Sequence, residues 1–351
     1  SSPDVICVAA MSSTGLFASY SCFGACVFVT AGSSSFREGE WGITTTDRRG
    51  EFGYNPGSRN SSYPDRDYAP DFGGTSSSSP LVAGVMALGV QANPAMDVRM
   101  AKHLLVKTSD VVDPNDSSDT SDGGWKTNAA GNKFNQNYGF GNIDADEFTM
   151  MATQFSGVTS LQTSTTGRQL VNTPIPNRGE ISRSFEISQT TPVEDVLVKL
   201  EVTHTLRGDV EAFIVSPSGT SSRLCIRERL DLANNIDWTF LSNAFWGENP
   251  QGTWTITLRD NFLLDTGSWN AFEATVRMGE LVASGGIAIP SVSSFTPSTG
   301  NPGTQISIAG SKFDRATGVS FGNTPAVTFS VDSATRILAT VPTGAQTGPV
   351  R

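Results

Sequence analysis

An α/β segment followed by two all-β sandwiches is the architecture the sequence predicts, and three observations carry it. Up to about residue 150, short continuous apolar runs alternate with helix-period segments, as in a parallel sheet covered by helices. Beyond residue 172 the apolar period becomes two, and turn signals recur between the runs. Two Thr/Ser/Gly-rich stretches separate the three parts, and 351 residues are enough to hold them.

The first element is Val5 to Ala10, a continuous apolar run that reads as a strand buried on both faces. A chain that opens on such a strand is expected to continue upstream. Cys26 to Thr30 is a second strand-like run, followed by a Gly/Ser/Asp-rich loop through Asp71. Leu81 to Ala92 is apolar nearly all round and ends at Asn93-Pro94, which predicts a buried helix. Val98 to Thr108 is amphipathic and capped by Asp97. The acidic loop "VVDPNDSSDTSDGG" and a last short helix complete residues 1–152. Residues 153–172 read as a linker. In 173–280, Val198, Leu200 and Val202 alternate with Lys199, Glu201 and Thr203, and Trp254, Ile256 and Leu258 alternate with threonines. Residues 281–288 read as a second linker. Ile306 and Ile308 open the period-two pattern of 289–351, a sandwich whose last residues form a turn and which is therefore expected to be truncated.

Net charge of −10 argues against a nucleic-acid surface, and no apolar stretch reaches membrane-span length. Low charge with abundant glycine, serine and threonine suits secreted β structure. Cys7, Cys22, Cys26 and Cys225 are too sparse for a disulfide framework and read as small buried residues. The N-terminus carries no signal-peptide pattern.

The stretch "DFGGTSSSSPLVAG", Asp71 to Gly84, carries the chemistry. Proline lacks an N–H and clashes with the carbonyl four residues back, so Pro80 is expected in a helix's first turn. That places Ser76 at or beside the N-cap. There its hydroxyl and backbone N–H meet the positive end of the helix, which favours an oxyanion. Capping alone is the competing role, since serine is a common N-cap.

"GGTSSSSPLVAG" resembles the nucleophile motif of subtilisin-like serine proteases, with Gly74, Thr75, Ser76, Pro80, Ala83 and Gly84 in register. "ASYSCFGACVFVTAG", "TTD" at Thr45–Asp47, "ANPAMDVRMAKHLL" and "YGFGNIDA" resemble the kexin/furin-like branch. "HTLRGDVEAFIVSPSGT", "DWTF" and "FWGENPQGTW" resemble the P domain of those enzymes. "FTPSTGNPGTQISIAGSKF" with "VSFGNTPA" resembles an IPT/TIG immunoglobulin-like module.

The resemblance implies the C-terminal part of a secreted or cell-surface serine endopeptidase acting on protein or peptide substrates. Ser76 would be the acyl-forming nucleophile and its backbone N–H one oxyanion donor. Ser77, Ser78 and Ser79 are out of register. His103 and His204 are the two histidines. His103 reads as a surface residue sharing a helical face with Arg99, and His204 as a packed strand-end residue. Neither stands in a His-Gly-Thr setting, and Asp71-Phe72-Gly73 adjoins the nucleophile too closely to serve as the acid motif. The family's base, acid and oxyanion asparagine all precede the serine and are expected upstream of Ser1.

The family also implies structural calcium without identifying ligands here. Gly24 stands where the branch has a glutamate. Asp113, Asp116, Asp119 and Asp122 lack EF-hand spacing and read as a solvated acidic loop. Arg207-Gly208-Asp209 reads as a strand-joining turn rather than an adhesion motif. A cell-surface or polysaccharide contact is an expectation for the C-terminal β modules. A non-catalytic extracellular scaffold is the alternative to the enzyme.

Overall fold

The computed structural model describes residues 2–34, 41–55, 64–263, 265–284, 290–313, 316, 318–322 and 324–350. They form two compact units, Ser1–Ala283 and Ser284–Arg351.

The first unit opens with β1 (Val8–Met11) and β2 (Val29–Gly32), paired in parallel with Val8 opposite Val29. Both begin three residues later than the runs expected from the sequence and end one or two residues later. One short antiparallel ladder follows, β3 (Ile43–Thr46) with β4 (Tyr68–Phe72). The helix α1 (Thr75–Ala92) comes next, then α2 (Val98–Thr108), whose Asp97 cap accepts from the Met100 amide at 2.8 Å. After the small hairpin of β5 (Lys126–Thr127) and β6 (Lys133–Phe134) comes α3 (Ala145–Ala152). α1 and α3 pack where Gly89 leaves room, since a Cβ there would sit 2.4 Å from Phe148 Cε1.

Residues 153–172 are not a linker. They hold β7 (Phe155–Val158) and β8 (Gln162–Thr165) and begin β9 (Gln169–Ile175). Their polar composition misled because β8 and β9 expose most of their residues while hydrogen-bonding a neighbouring strand. β10 (Glu180–Ile187), β11 (Val193–His204), β12 (Val210–Val215), β13 (Ser221–Cys225), β14 (Ile236–Ser242), β15 (Gly252–Asp260) and β16 (Gly267–Met278) complete the sandwich. One sheet runs β10-β15-β12-β13. The other runs β14-β11-β16-β8, with β9 also on β16. Val198, Leu200, Val202, Trp254, Ile256 and Leu258 all point into its core, as the period-two alternation predicts. β17 (Leu281–Ala283) pairs with β7, so what reads as the start of the second linker is a strand. Residues 285–289 of that stretch lie outside the described residues.

In the second unit, β18 (Ser291–Thr296) and β19 (Gln305–Ser311) precede the small pair β20 (Ser320–Phe321) and β21 (Thr324–Pro325). β22 (Phe329–Ser333) and β23 (Arg336–Thr340) complete a sheet in the order β18-β19-β23-β22. Ile306, Ile308, Phe313, Ile337 and Ala339 form its core.

Candidate active site

Helix α1 begins at Thr75, and Gly74 is its N-cap with φ +77°, a backbone conformation that costs an L side chain about 1–2 kcal/mol. Pro80 is therefore inside the helix rather than in its first turn. Ser76 is the second helical residue. Pro80 has no N–H to offer the Ser76 carbonyl, which stays without its i+4 donor. Ser76 is exposed, and neither its hydroxyl nor its backbone N–H has a hydrogen-bond partner among the described residues.

The serines behind it differ. Ser77 is buried, and its hydroxyl meets Ser33 Oγ at 2.8 Å and the Gly74 carbonyl at 3.0 Å. Ser78 is fully buried and donates to the carbonyls of Ala31 at 3.1 Å and Gly32 at 3.3 Å. Both bonds tie the start of α1 to the end of β2. Ser79 is exposed three residues deeper in the helix. Of the four serines, Ser76 and Ser79 are exposed, and Ser76 is the one in the first turn of α1.

Both histidines have partners at each ring nitrogen. His103 is buried, not on the surface as its helical face suggested. The middle sandwich covers that face of α2. Trp246 Nε1 donates to His103 Nδ1 at 3.2 Å, and an indole N–H can only donate. His103 Nδ1 is therefore unprotonated, and Nε2–H faces Glu194 Oε1 at 2.9 Å. His204 sits buried at the end of β11, as expected. Its Nδ1 accepts from the Leu206 amide at 3.2 Å, and Nε2 faces Asp260 Oδ2 at 3.4 Å. Each ring is spent at both nitrogens.

The His103 contacts belong to a polar seam that joins the α/β segment to the sandwich. Arg99 forks onto Glu194, Nε to Oε2 at 2.9 Å and Nη2 to Oε1 at 2.5 Å. Burial alone would raise the Glu194 carboxyl, but hydrogen bonds from His103 and Arg99 outweigh it and hold the group below the usual range. Burial pushes neighbouring Asp195 up to about 6, against the attraction of Arg277 and Lys102. Lys102 is also buried, donates to the Pro3 carbonyl at 2.6 Å and lies 5.0 Å over the Phe28 ring. Burial holds its ammonium below the usual lysine range.

The acidic loop is solvated in part, as expected, with the Asp119 side chain 86% exposed, but its carboxylates also have protein partners. Asp113 accepts from the Tyr138 hydroxyl at 3.2 Å, and Asp116 from Asn135 at 2.8 Å. Asp119 meets Arg223 of β13 at 3.2 Å, and Asp122 pairs with Lys126. Among the described residues, no group of three or more Asp, Glu, His or Cys side chains could hold a metal ion, so the expected calcium finds no fitting ligand set. Cys22 is exposed, not a small buried residue as expected. Arg207–Asp209 forms a 3₁₀ turn between β11 and β12, with Gly208 and Asp209 buried and Arg207 exposed. No helix among the described residues is long and apolar enough to cross a membrane.

A parallel strand pair with a serine-headed helix, joined to an antiparallel sandwich through α2, defines a protease segment with its companion β domain. Residues 1–141 match the subtilase family, 193–276 the proprotein convertase P-domain and 290–351 the IPT/TIG domain. In the order and kind of these three matches the chain resembles a kexin-like subtilase with a P domain and an IPT/TIG module. It is 36% identical over 197 residues to proprotein convertase subtilisin/kexin type 6 of Homo sapiens, covering 53% of this chain and 20% of that protein. The type 4 protein of Mus musculus is 30% identical over 207 residues, covering 56% of this chain and 30% of that one. The chain thus spans less than a third of these relatives' length. A crystal structure of Aeromonas sobria serine protease in complex with a chaperone superposes with a TM-score of 0.69 at 26% identity, covering 78% of this chain and 57% of that one.

Sequence reasoning missed the seam residues Arg99, Lys102, His103, Glu194 and Asp195. The period-two pattern does mark Glu194 and Asp195 as adjacent carboxylates at the head of an apolar strand, which is the signal that a covering partner exists.

Proposed function

We propose that this chain carries the nucleophile half of a secreted or cell-surface serine endopeptidase. Ser76 Oγ attacks the scissile carbonyl carbon, and a histidine from polypeptide outside this chain takes its proton. The C–N bond then breaks, the amine leaves with that proton, and water hydrolyses the acyl-serine. An unengaged Ser76 N–H at the positive end of α1 supplies one oxyanion donor. The single observation that carries the reading is the unbonded, exposed Ser76 beside two serines committed to structure.

Surface chemistry supports a larger protease domain around this site. Leu81, Leu88 and Val90 of α1 are 41%, 49% and 47% exposed, although the helix reads as buried in sequence. Gly84 faces open space, and a helical glycine costs about 1 kcal/mol with no close packing here to require it. β1 pairs with β2 alone among the described strands, whereas parallel sheets are ordinarily covered on both faces. A non-catalytic scaffold would have no use for a bare hydroxyl at this position. The β modules downstream are proposed to stabilise the protease domain and to act as a spacer or binding module.

A fluorophosphonate probe tests the assignment on the full-length protein. Label should map to Ser76 and vanish in Ser76→Ala. Label on Ser77, or undiminished label in Ser76→Ala, would overturn it.

A further inference from the structure

We infer that Tyr20, Ser33 and Ser77 form a hydroxyl clamp that positions the nucleophile turn by holding the Gly74 peptide unit at both its N–H and its C=O. This rests on Ser76 being the nucleophile. Tyr20 lies in the loop after β1, Ser33 follows β2, and Ser77 belongs to the first turn of α1. Three separate segments therefore converge on one residue, two positions before Ser76.

The three hydroxyl protons are shared among the oxygens of the cluster. Tyr20 donates its hydroxyl proton to the Ser34 carbonyl, which can only accept. Its oxygen accepts the Gly74 N–H at 3.2 Å. Tyr20 OH and Ser33 Oγ are 2.8 Å apart, and the single Ser33 proton goes either to Tyr20 or to the Gly74 carbonyl. Ser77 donates in turn to Ser33 at 2.8 Å or to the Gly74 carbonyl at 3.0 Å. The Gly74 carbonyl also lies 2.8 Å from Ser33 Oγ. Ser33 and Ser77 are both buried, at 2% exposure each, so these bonds have no water competing for them.

Gly74 needs such a clamp. Its φ of +77° is a conformation that glycine in a flexible chain leaves readily, and its own Cβ-less surroundings are open. A rotation of the Gly74 peptide would swing the start of α1, and with it the Ser76 Oγ and N–H that must meet the scissile carbonyl together. Displacement of reacting groups by about 1 Å costs on the order of 100-fold in rate. Tyr20, Ser33 and Ser77 touch neither substrate nor reacting atoms. They act through Gly74, as positioning residues.

The test compares full-length wild type with Tyr20→Phe, Ser77→Ala and Ser77→Thr. Active sites are first counted by exhaustive fluorophosphonate titration, and the labelling rate and peptide kcat are then expressed per titrated site. Tyr20→Phe and Ser77→Ala should label and turn over at least about 10-fold more slowly per site, with KM within about twofold. Ser77→Thr, which keeps the hydroxyl, should restore most of the rate. A merely structural role would lower the count of titratable sites and leave the rate per site unchanged. That result, or equal rates for Ser77→Ala and Ser77→Thr, would overturn the clamp while label stayed on Ser76. Label elsewhere than Ser76 would instead remove the nucleophile assignment, and the clamp with it.

Discussion

Glu194→Gln is the perturbation that most directly tests the seam between α2 and the sandwich. The carboxylate side chain is 1% exposed, and its partners Arg99 and His103 are 17% and 8% exposed. Removing one partner from a buried charge pair costs about 3–5 kcal/mol. Residual exposure lets water reach the Arg99 guanidinium, so the lower end, about 3 kcal/mol, applies. The amide cannot repair the geometry. Oε1 accepts from both Arg99 and His103 while Oε2 accepts from Arg99 Nε, so the glutamine NH₂ must face an N–H donor. The loss should depend on pH in a fixed direction. The folded carboxyl lies below its unfolded range, so its stabilisation is complete above about pH 4.5 and is lost as pH falls through the folded value. Urea unfolding of the whole chain, followed by tryptophan fluorescence, should show a gap near 3 kcal/mol at neutral pH that narrows on acidification. A neutral-pH gap below about 0.5 kcal/mol, or one that does not change with pH, would refute the reasoning.

Asp195 carries the opposite sign. With its folded value at about 6 against an ordinary 3.8, ionisation opposes folding by about 3 kcal/mol above pH 6. Relative to Asp195→Asn, wild type should therefore gain roughly that much between neutral pH and about pH 3.5; an invariant difference would contradict it. The chain as given should not hydrolyse casein, because in subtilisin loss of the base alone lowers turnover about a million-fold. Casein cleavage that His103→Ala or His204→Ala abolished would place a base within the chain. Expressed separately, residues 162–280 should melt cooperatively and residues 1–150 should not, since the latter lose Ala244 and Trp246 from their core. A cooperative transition for 1–150 would show that this core holds without Ala244 and Trp246.

Much of the fold was legible because apolar period is a local property. Alternation around Leu200 and Ile256 needs only neighbours in sequence, and the sandwich core follows it residue by residue. Asp97 as the cap of α2 was equally local. What failed depended on partners distant in the chain. The strands β8 and β9 are polar edge elements whose pairing with β16 leaves no mark on their own composition. Leu81–Ala92 reads as a buried helix, yet in this chain most of its surface has nothing against it. Ser76 was legible by motif. The reason Ser77 and Ser78 are unavailable was not, because Ser33, Ala31 and Gly32 lie more than 40 positions away.

The seam shows most sharply why charge misleads in sequence. Arg99, Lys102 and His103 on one face of α2 look like a solvated surface, because an isolated polar face is ordinarily wet. Here the covering face is polar too. Glu194 and Asp195 stand opposite them, and Trp246 places its one donor on His103 Nδ1. Bonding of this kind prescribes partners and angles, as apolar contact does not. The sandwich can therefore dock on the α/β segment in one orientation, although the apolar part of the contact is small residues and a single indole. Phe28 connects this seam to the site. It packs on Trp246 at 5.3 Å and lies beneath Lys102, while its strand neighbours Ala31 and Gly32 receive Ser78. A docked sandwich thereby braces β2, and β2 in turn braces the turn that presents Ser76.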